Sequence, residues 1–242
     1  IALKEIINTT APDILINLAA MTNVDACELN PKLAGEINVA GLKHICDSFK
    51  GKIIHLSTDY VFDGTGTIPW SVSDRTNPQN AYGRSKLKGE LAIKASGSTY
   101  AILRTSWVVS AHGNNFIKTM RRLIETKNRI LIVDDQIGCP THAKGLAKFI
   151  WFIVDEPSIE RVYHWSDLGQ ASWLEFAKEI YKQGQKLDLI KKNVRIKGIS
   201  ASDYPTPAIR PSYSVLNVNK RSTKHWKDCL FDMLKQIQKQ YN

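Results

Sequence analysis

Short apolar runs alternate with longer segments of helical period along almost the whole chain, and this alternation limits the fold more than any other feature. Asp13–Ala19 (DILINLA), Lys52–Ser57 (KIIHLS), Tyr100–Leu103 and Arg129–Val133 read as buried strands, with Val162–Trp165 and Val194–Ile199 as further ones. Between and after them, Pro31–Phe49, Asn80–Ala95, Asn115–Thr126, His142–Val154, Ser172–Lys182 and Trp226–Lys239 read as helices, and Tyr204–Pro211 as a proline-rich loop. Strands that alternate with helices in this way build β-α-β units and a parallel sheet covered on both faces. The fold class expected is therefore α/β, a doubly wound parallel sheet.

Ligands of such sheets bind beyond the carboxyl ends of the strands. Three polar segments fall there: LAAMTNVD after the first strand, STDYVFDG after the second and RTSWVVS after the third. Their convergence on one edge marks a site.

The segment AYGRSKLKGE, Ala81–Glu90, adds chemistry to that edge. Tyr82 and Lys86 are four residues apart in a helical stretch, so both lie on one helix face. A phenol beside an ammonium is easier to ionise, which makes Tyr82 a candidate proton donor or acceptor near neutral pH. A surface Tyr–Lys pair is the plain alternative, and it is the neighbouring motifs that weigh against it.

Composition excludes several classes. Of 242 residues, 43% are hydrophobic and 23% charged, the balance of a globular protein with a sizeable core. No apolar run reaches the roughly 18–20 residues that span a bilayer. The nearest, Gly145–Val154, contains Lys148 and reads as a core helix. The net charge of +10 suits an anionic partner. The excess lies in stretches (Lys118–Arg122, Lys186–Lys197, Lys220–Lys239) interleaved with apolar residues, the pattern of solvated faces, and no nucleic-acid motif accompanies it. The four cysteines and six histidines are scattered, with no metal-ligand spacing. Reduced thiols in a cytoplasmic protein are the reading.

A dinucleotide fold normally opens with a strand, a glycine-rich turn and a helix that cradles the pyrophosphate. No such segment is present, and Gly64-Thr65-Gly66 reads as a turn. The expectation is that an N-terminal β-α-β unit is missing and that the chain opens in mid-helix.

The motifs STDYVFDG (Ser57–Gly64), YGRSK (Tyr82–Lys86), RTSWV (Arg104–Val108) and DQIGCPT (Asp135–Thr141), with NLAAMTNVDACE, GNNFIKTM and PTPAIRPSYSVLN, follow one another in register. Together they closely resemble the dTDP-4-dehydrorhamnose reductases, a family of the extended short-chain dehydrogenase/reductases. The resemblance covers essentially the whole chain. It implies a Rossmann-type fold and reduction, by NADPH or NADH, of the 4-keto group of dTDP-4-dehydro-L-rhamnose to dTDP-L-rhamnose. That is a nucleotide-sugar step serving carbohydrates such as the lipopolysaccharide O-antigen.

By the same resemblance Tyr82 is the proton donor, Lys86 lowers its pKa and holds the nicotinamide ribose, and Thr58 holds the carbonyl oxygen or relays the proton. Ala19, Ala20 and Thr22, with Tyr82 and Lys86, match the cofactor side. Thr58, Asp59, Trp107 and Arg210 match the substrate side, Arg210 toward the diphosphate or nucleotide. Asn38 takes a structural or supporting role. A turn cap for Thr58-Asp59, a core position for Trp107 and a surface salt bridge for Arg210 are the structural alternatives. Some family members are linked to Mg²⁺ at a dimer contact, but no residue here matches such a site; a homodimer is compatible with the resemblance.

Residues 1–112 and 142–166 are expected to form the cofactor-binding part, and 113–141 with 167–242 an intertwined substrate-binding region. Two other functions compete: a non-catalytic binding relative of the same fold, such as a regulatory subunit, and an inactive truncated copy.

Overall fold

A computed structural model of the chain describes residues 2–157, 159, 161–218 and 224–241; part of the basic stretch Lys220–Lys239 lies outside them. Helix α1 (Ala2–Thr10) leads into strand β1 (Ile14–Asn17), followed by α2 (Val24–Leu29) and α3 (Pro31–Gly35). A π-helical turn (Glu36–Ala40) joins α3 to α4 (Gly41–Ser48), so Pro31–Ser48 runs as one helix with a widened middle turn. Next come β2 (Lys52–Thr58), a 3₁₀ turn (Asp59–Val61), α5 (Ala81–Ala95), β3 (Thr99–Thr105), β4 (Val108–Val109) and α6 (Phe116–Thr126). The remainder is β5 (Arg129–Val133), β6 (Ile137–Gly138), β7 (Thr141–His142), α7 (Ala143–Asp155), β8 (Val162–His164), β9 (Ala171–Ser172), α8 (Trp173–Lys186), β10 (Arg195–Ile199) and α9 (Trp226–Tyr241).

The main sheet is parallel, in the order β1-β2-β3-β8. Alternation along β2 and β3 sends Ile53, Tyr100 and Ile102 to one face, where they pack with Ile7, Leu42, Cys46 and Ile93 of α1, α4 and α5. Ile54, Ala101 and Leu103 go to the other face, against Leu146, Phe149 and Ile153 of α7. A doubly wound sheet is thus built as the strand–helix alternation requires.

A second core joins α6, α8 and α9 around Phe176, Ile180, Leu230 and Leu234, beside the two-stranded parallel pair β5–β10. The β4–β7 and β6–β9 pairs, two residues per strand, lie outside both sheets. Sequence periodicity gives no hint of them, because two residues have no period.

Pairing sets the edge where function is expected. Thr58 is level with Thr105, and Asn17 with His55. The segments after β1, β2 and β3 therefore leave the sheet on the same side.

Candidate active site

Thr58 is the last residue of β2 and the N-cap of the 3₁₀ turn, its hydroxyl accepting from the Tyr60 N–H. That hydroxyl donates to Asp59 Oδ1 at 3.0 Å. Asp59 is buried at 2% exposure, and burial raises its carboxyl to about 7. Ser214 lies close enough to favour the ionised form, yet Oδ2 has no partner of hydrogen-bonding geometry. Thr105, level with Thr58, likewise has a buried hydroxyl without a partner. Two orphaned polar atoms at the carboxyl edge of the sheet are what a site for a polar ligand leaves behind.

Helix α5 starts against this edge. Asn80 caps it by accepting from the Gly83 N–H, and its Nδ2 donates to Ile209 O of the proline-rich loop. Gly83 has no room for a side chain: a Cβ there would lie 2.2 Å from Tyr60 O. This close approach brings Tyr82 edge-on to Tyr60, ring centroids 5.9 Å apart, with the Tyr82 phenol next to Thr58. Burial pushes the Tyr82 phenol above its ordinary value, while Thr58 pulls it back.

Lys86 departs from the sequence expectation. It shares the helix face with Tyr82, but its Nζ donates to Leu56 O at 2.6 Å and lies 3.5 Å from His55 Nε2. The carbonyl at hand is a better acceptor for a buried amine N–H than a phenol. Lys86 is therefore not among the groups acting on the Tyr82 phenol, which is held protonated instead of being made more acidic. Burial lowers Lys86 itself to about 8, with Glu90 working against the shift.

Asn38, in the π turn, accepts from Met21 N–H at 2.8 Å and donates to Met21 O and Ser85 Oγ. It fixes the loop after β1 to α5. In that loop Ala19 and Thr22 are exposed and Ala20 is half-buried. Trp107 follows β3 in a left-handed conformation (φ 43°) and stacks on Trp173, centroids 3.5 Å apart. Its indole also covers Gly138, where a Cβ would lie 2.5 Å from the ring. Strain of this kind in a bulky residue is held in place by its surroundings and concentrates at functional sites.

Arg210 is committed elsewhere. Its guanidinium donates to both carboxylate oxygens of Asp25 (2.7 and 3.1 Å) and to Thr206 Oγ1 at 2.6 Å. Instead of pointing free toward a diphosphate, it ties the proline-rich loop to α2.

Sequence reasoning passed over Asn17, His55, Ser214, Glu90 and Trp173. A histidine within the apolar run KIIHLS was the available signal. Glu90 accepts from Arg104 through both oxygens (2.7 and 2.9 Å) and from Ser57 at 2.6 Å, all fully buried. Arg104 continues to His164, which burial holds neutral with a pKa of about 4.

The family model described as "RmlD substrate binding domain" matches residues 1–239. The chain belongs to the dTDP-4-dehydrorhamnose reductase family. It is 40% identical over 223 residues to the dTDP-4-dehydrorhamnose reductase of Sinorhizobium fredii, covering 88% of this chain and 75% of that one. The crystal structure of a dTDP-4-dehydrorhamnose reductase from Clostridium acetobutylicum is similar with a TM-score of 0.90 and 36% identity, over 98% of this chain and 85% of that one. That of a dTDP-4-dehydrorhamnose reductase from Bacillus anthracis in complex with NADP matches at 0.90 and 32%, over 97% and 84%. With these relatives the chain shares the parallel α/β fold of an oxidoreductase family.

Proposed function

We propose that this reductase-family chain reduces the 4-keto group of dTDP-4-dehydro-L-rhamnose to dTDP-L-rhamnose, with Tyr82 as the proton donor. The observation that carries the reading is the meeting of Thr58, Asp59 and Tyr82 where β2 ends, with Lys86 one turn along the same helix face.

The residues present fit a dinucleotide. Ala19 and Ala20 offer a loop with only methyl side chains, and Lys86 has an N–H beyond the one donated to Leu56 O. When bound, NADPH or NADH supplies the hydride that adds to the keto carbon. We assign Ala19, Ala20, Thr22, Tyr82 and Lys86 to holding it.

Negative charge builds on the keto oxygen, and Tyr82 gives that oxygen its proton. A buried phenol with a raised pKa holds the proton until an alkoxide, a far stronger base, takes it. Thr58 steadies the oxygen beside the phenol, and Lys86 acts through its hold on the cofactor. Asp59 accepts a sugar hydroxyl through its free oxygen, Trp107 covers the apolar face of the deoxy-sugar, and Arg210 acts by holding the loop above them.

The parts divide accordingly: 1–112 and 142–166 toward the cofactor, 113–141 and 167–242 toward the sugar. All four cysteines are free and buried, which supports a reducing cytoplasmic setting. No helix among the described residues is long and apolar enough to cross a membrane.

Removing the phenolic oxygen tests the assignment. Tyr82→Phe is expected to lower kcat by about 10²–10⁴-fold while NADPH binding, followed by fluorescence, stays within a few-fold of the parent. A Tyr82→Phe protein with undiminished turnover of the dTDP-4-keto sugar would remove Tyr82 from the mechanism. Absence of any NADPH oxidation by the unaltered chain would favour a non-catalytic relative.

A further inference from the structure

We propose that His55 is a positioning residue for Lys86: its imidazole links the Lys86 amine, through Asn17, to the backbone of the loop at Ala19, so that the proton on Lys86 and the placement of that loop are coupled. The inference rests on the reading above for the importance of Lys86, and it adds a device that sets the state of that group.

The contacts form one string. The Ala19 N–H donates to Asn17 Oδ1 at 3.2 Å, Asn17 Nδ2 faces His55 Nδ1 at 3.1 Å, and His55 Nε2 faces Lys86 Nζ at 3.5 Å. Asn17 and His55 are both buried and level with each other on neighbouring strands. A neutral imidazole has one donor and one acceptor nitrogen. With Asn17 Oδ1 held by Ala19, Nδ2 must donate to His55 Nδ1, so the ring proton sits on Nε2 and points at the amine. That arrangement is satisfied only when Lys86 is neutral and accepts. A charged Lys86 needs Nε2 as acceptor, which puts the ring proton on Nδ1. Asn17 must then turn its carbonyl to the ring and let go of the Ala19 N–H. Each proton state of Lys86 therefore goes with one state of the loop that we assign to the cofactor.

Other charges round Lys86 are already engaged. Burial keeps His55 well below its ordinary pKa, with the Lys86 cation adding to the effect. On the same helix Glu90 is paired with Arg104 of β3, and Arg84 with Glu28 of α2. The 3₁₀ turn supplies Asp59 and Tyr60, and α2 also supplies Asp25, paired with Arg210. Lys32, Glu36, Lys43, His44 and Asp47 on the helices from α3 to α4 are exposed. His55 is the one titratable side chain in contact with the Lys86 amine among the described residues.

The test uses the full chain with ¹³C-labelled lysine, the Lys86 Cε signal being identified by its loss in Lys86→Met. Its pH midpoint is expected near 8 in the unaltered protein. His55→Gln presents a carbonyl to the amine and raises the midpoint by at least about one unit, tenfold in the proton equilibrium. His55→Phe removes the ring nitrogen that can switch to accepting from a charged amine, puts apolar surface in its place and lowers the midpoint. Asn17→Ala, which does not touch Lys86, frees the ring to accept and also raises it. Affinity for NADPH, titrated at pH 6 and pH 9, changes its pH dependence in the same variants. If His55→Phe fails to fold, His55→Gln and Asn17→Ala decide. A Lys86 midpoint that stays within about twofold of the parent equilibrium in the folded variants overturns the proposal. Because the readout needs no turnover, loss of the Tyr82 assignment leaves this result interpretable.

Discussion

A carboxyl that titrates near neutrality inside a protein is costly, and Asp59 is such a group. Its folded pKa, about 7, stands above the value of roughly 3.9 in an unfolded chain. The folded state therefore binds more protons than the unfolded one between these values, and stability falls as pH rises through that window. The contribution is fully present below about pH 4 and lost above about pH 7. Asp59→Asn removes the ionisation and is expected to stabilise the protein at pH 8 by on the order of 2–4 kcal/mol, with little effect at pH 4. Urea unfolding at the two pH values measures this; an equal shift at both would contradict it. The same substitution is expected to raise KM for the dTDP-sugar, the trade expected where a site residue works against the fold.

At the scale of elements, α5 carries Tyr82 and Lys86 and is fixed by a buried ion pair. Glu90, two turns beyond Tyr82, accepts both prongs of Arg104 from β3, with Ser57 of β2 as a third partner. Breaking one side strands a charge: Arg104→Met is expected to cost about 3–5 kcal/mol, whereas Glu90→Gln with Arg104→Met together costs much less. Thermal and urea unfolding of the single and double variants check this, and equal losses in both would show that the stranded charge is not the cause. Little of this was visible beforehand. Strands β2 and β3 and helices α5, α6 and α7 were legible to within a residue or two, because long runs carry a clear period and Asn80 and Asn115 signal helix starts. Helix α2, the π turn and the paired dipeptides were not, since each is fixed by partners distant in sequence. Helix spacing puts Lys86 on the right face, but its choice of Leu56 O over Tyr82 depends on a strand that such spacing cannot see.

Across the whole molecule the C-terminal region and the main-sheet region are tied where the proline-rich loop meets α2. Arg210 and Asp25 form the tie, with Ala208 N–H also donating to Asp25. The pair is partly exposed, so its direct contribution is at most about 1 kcal/mol. Its importance is positional. If Arg210 acts by anchoring the loop, Asp25→Ala reproduces the effect of Arg210→Ala: KM for the dTDP-sugar rises several-fold, kcat changes little, and the double variant is no worse than either single one. An Arg210→Ala defect that Asp25→Ala fails to reproduce would instead return Arg210 to direct contact with the substrate.

The overlapped indoles of Trp107 and Trp173 have one more consequence. Two such chromophores 3.5 Å apart and 9° from parallel couple their ultraviolet transitions, so the chain carries a built-in optical gauge beside the end of β3. If Trp107 meets the sugar as proposed, a guest against one ring perturbs both, and its arrival is expected to register in circular dichroism without any dye.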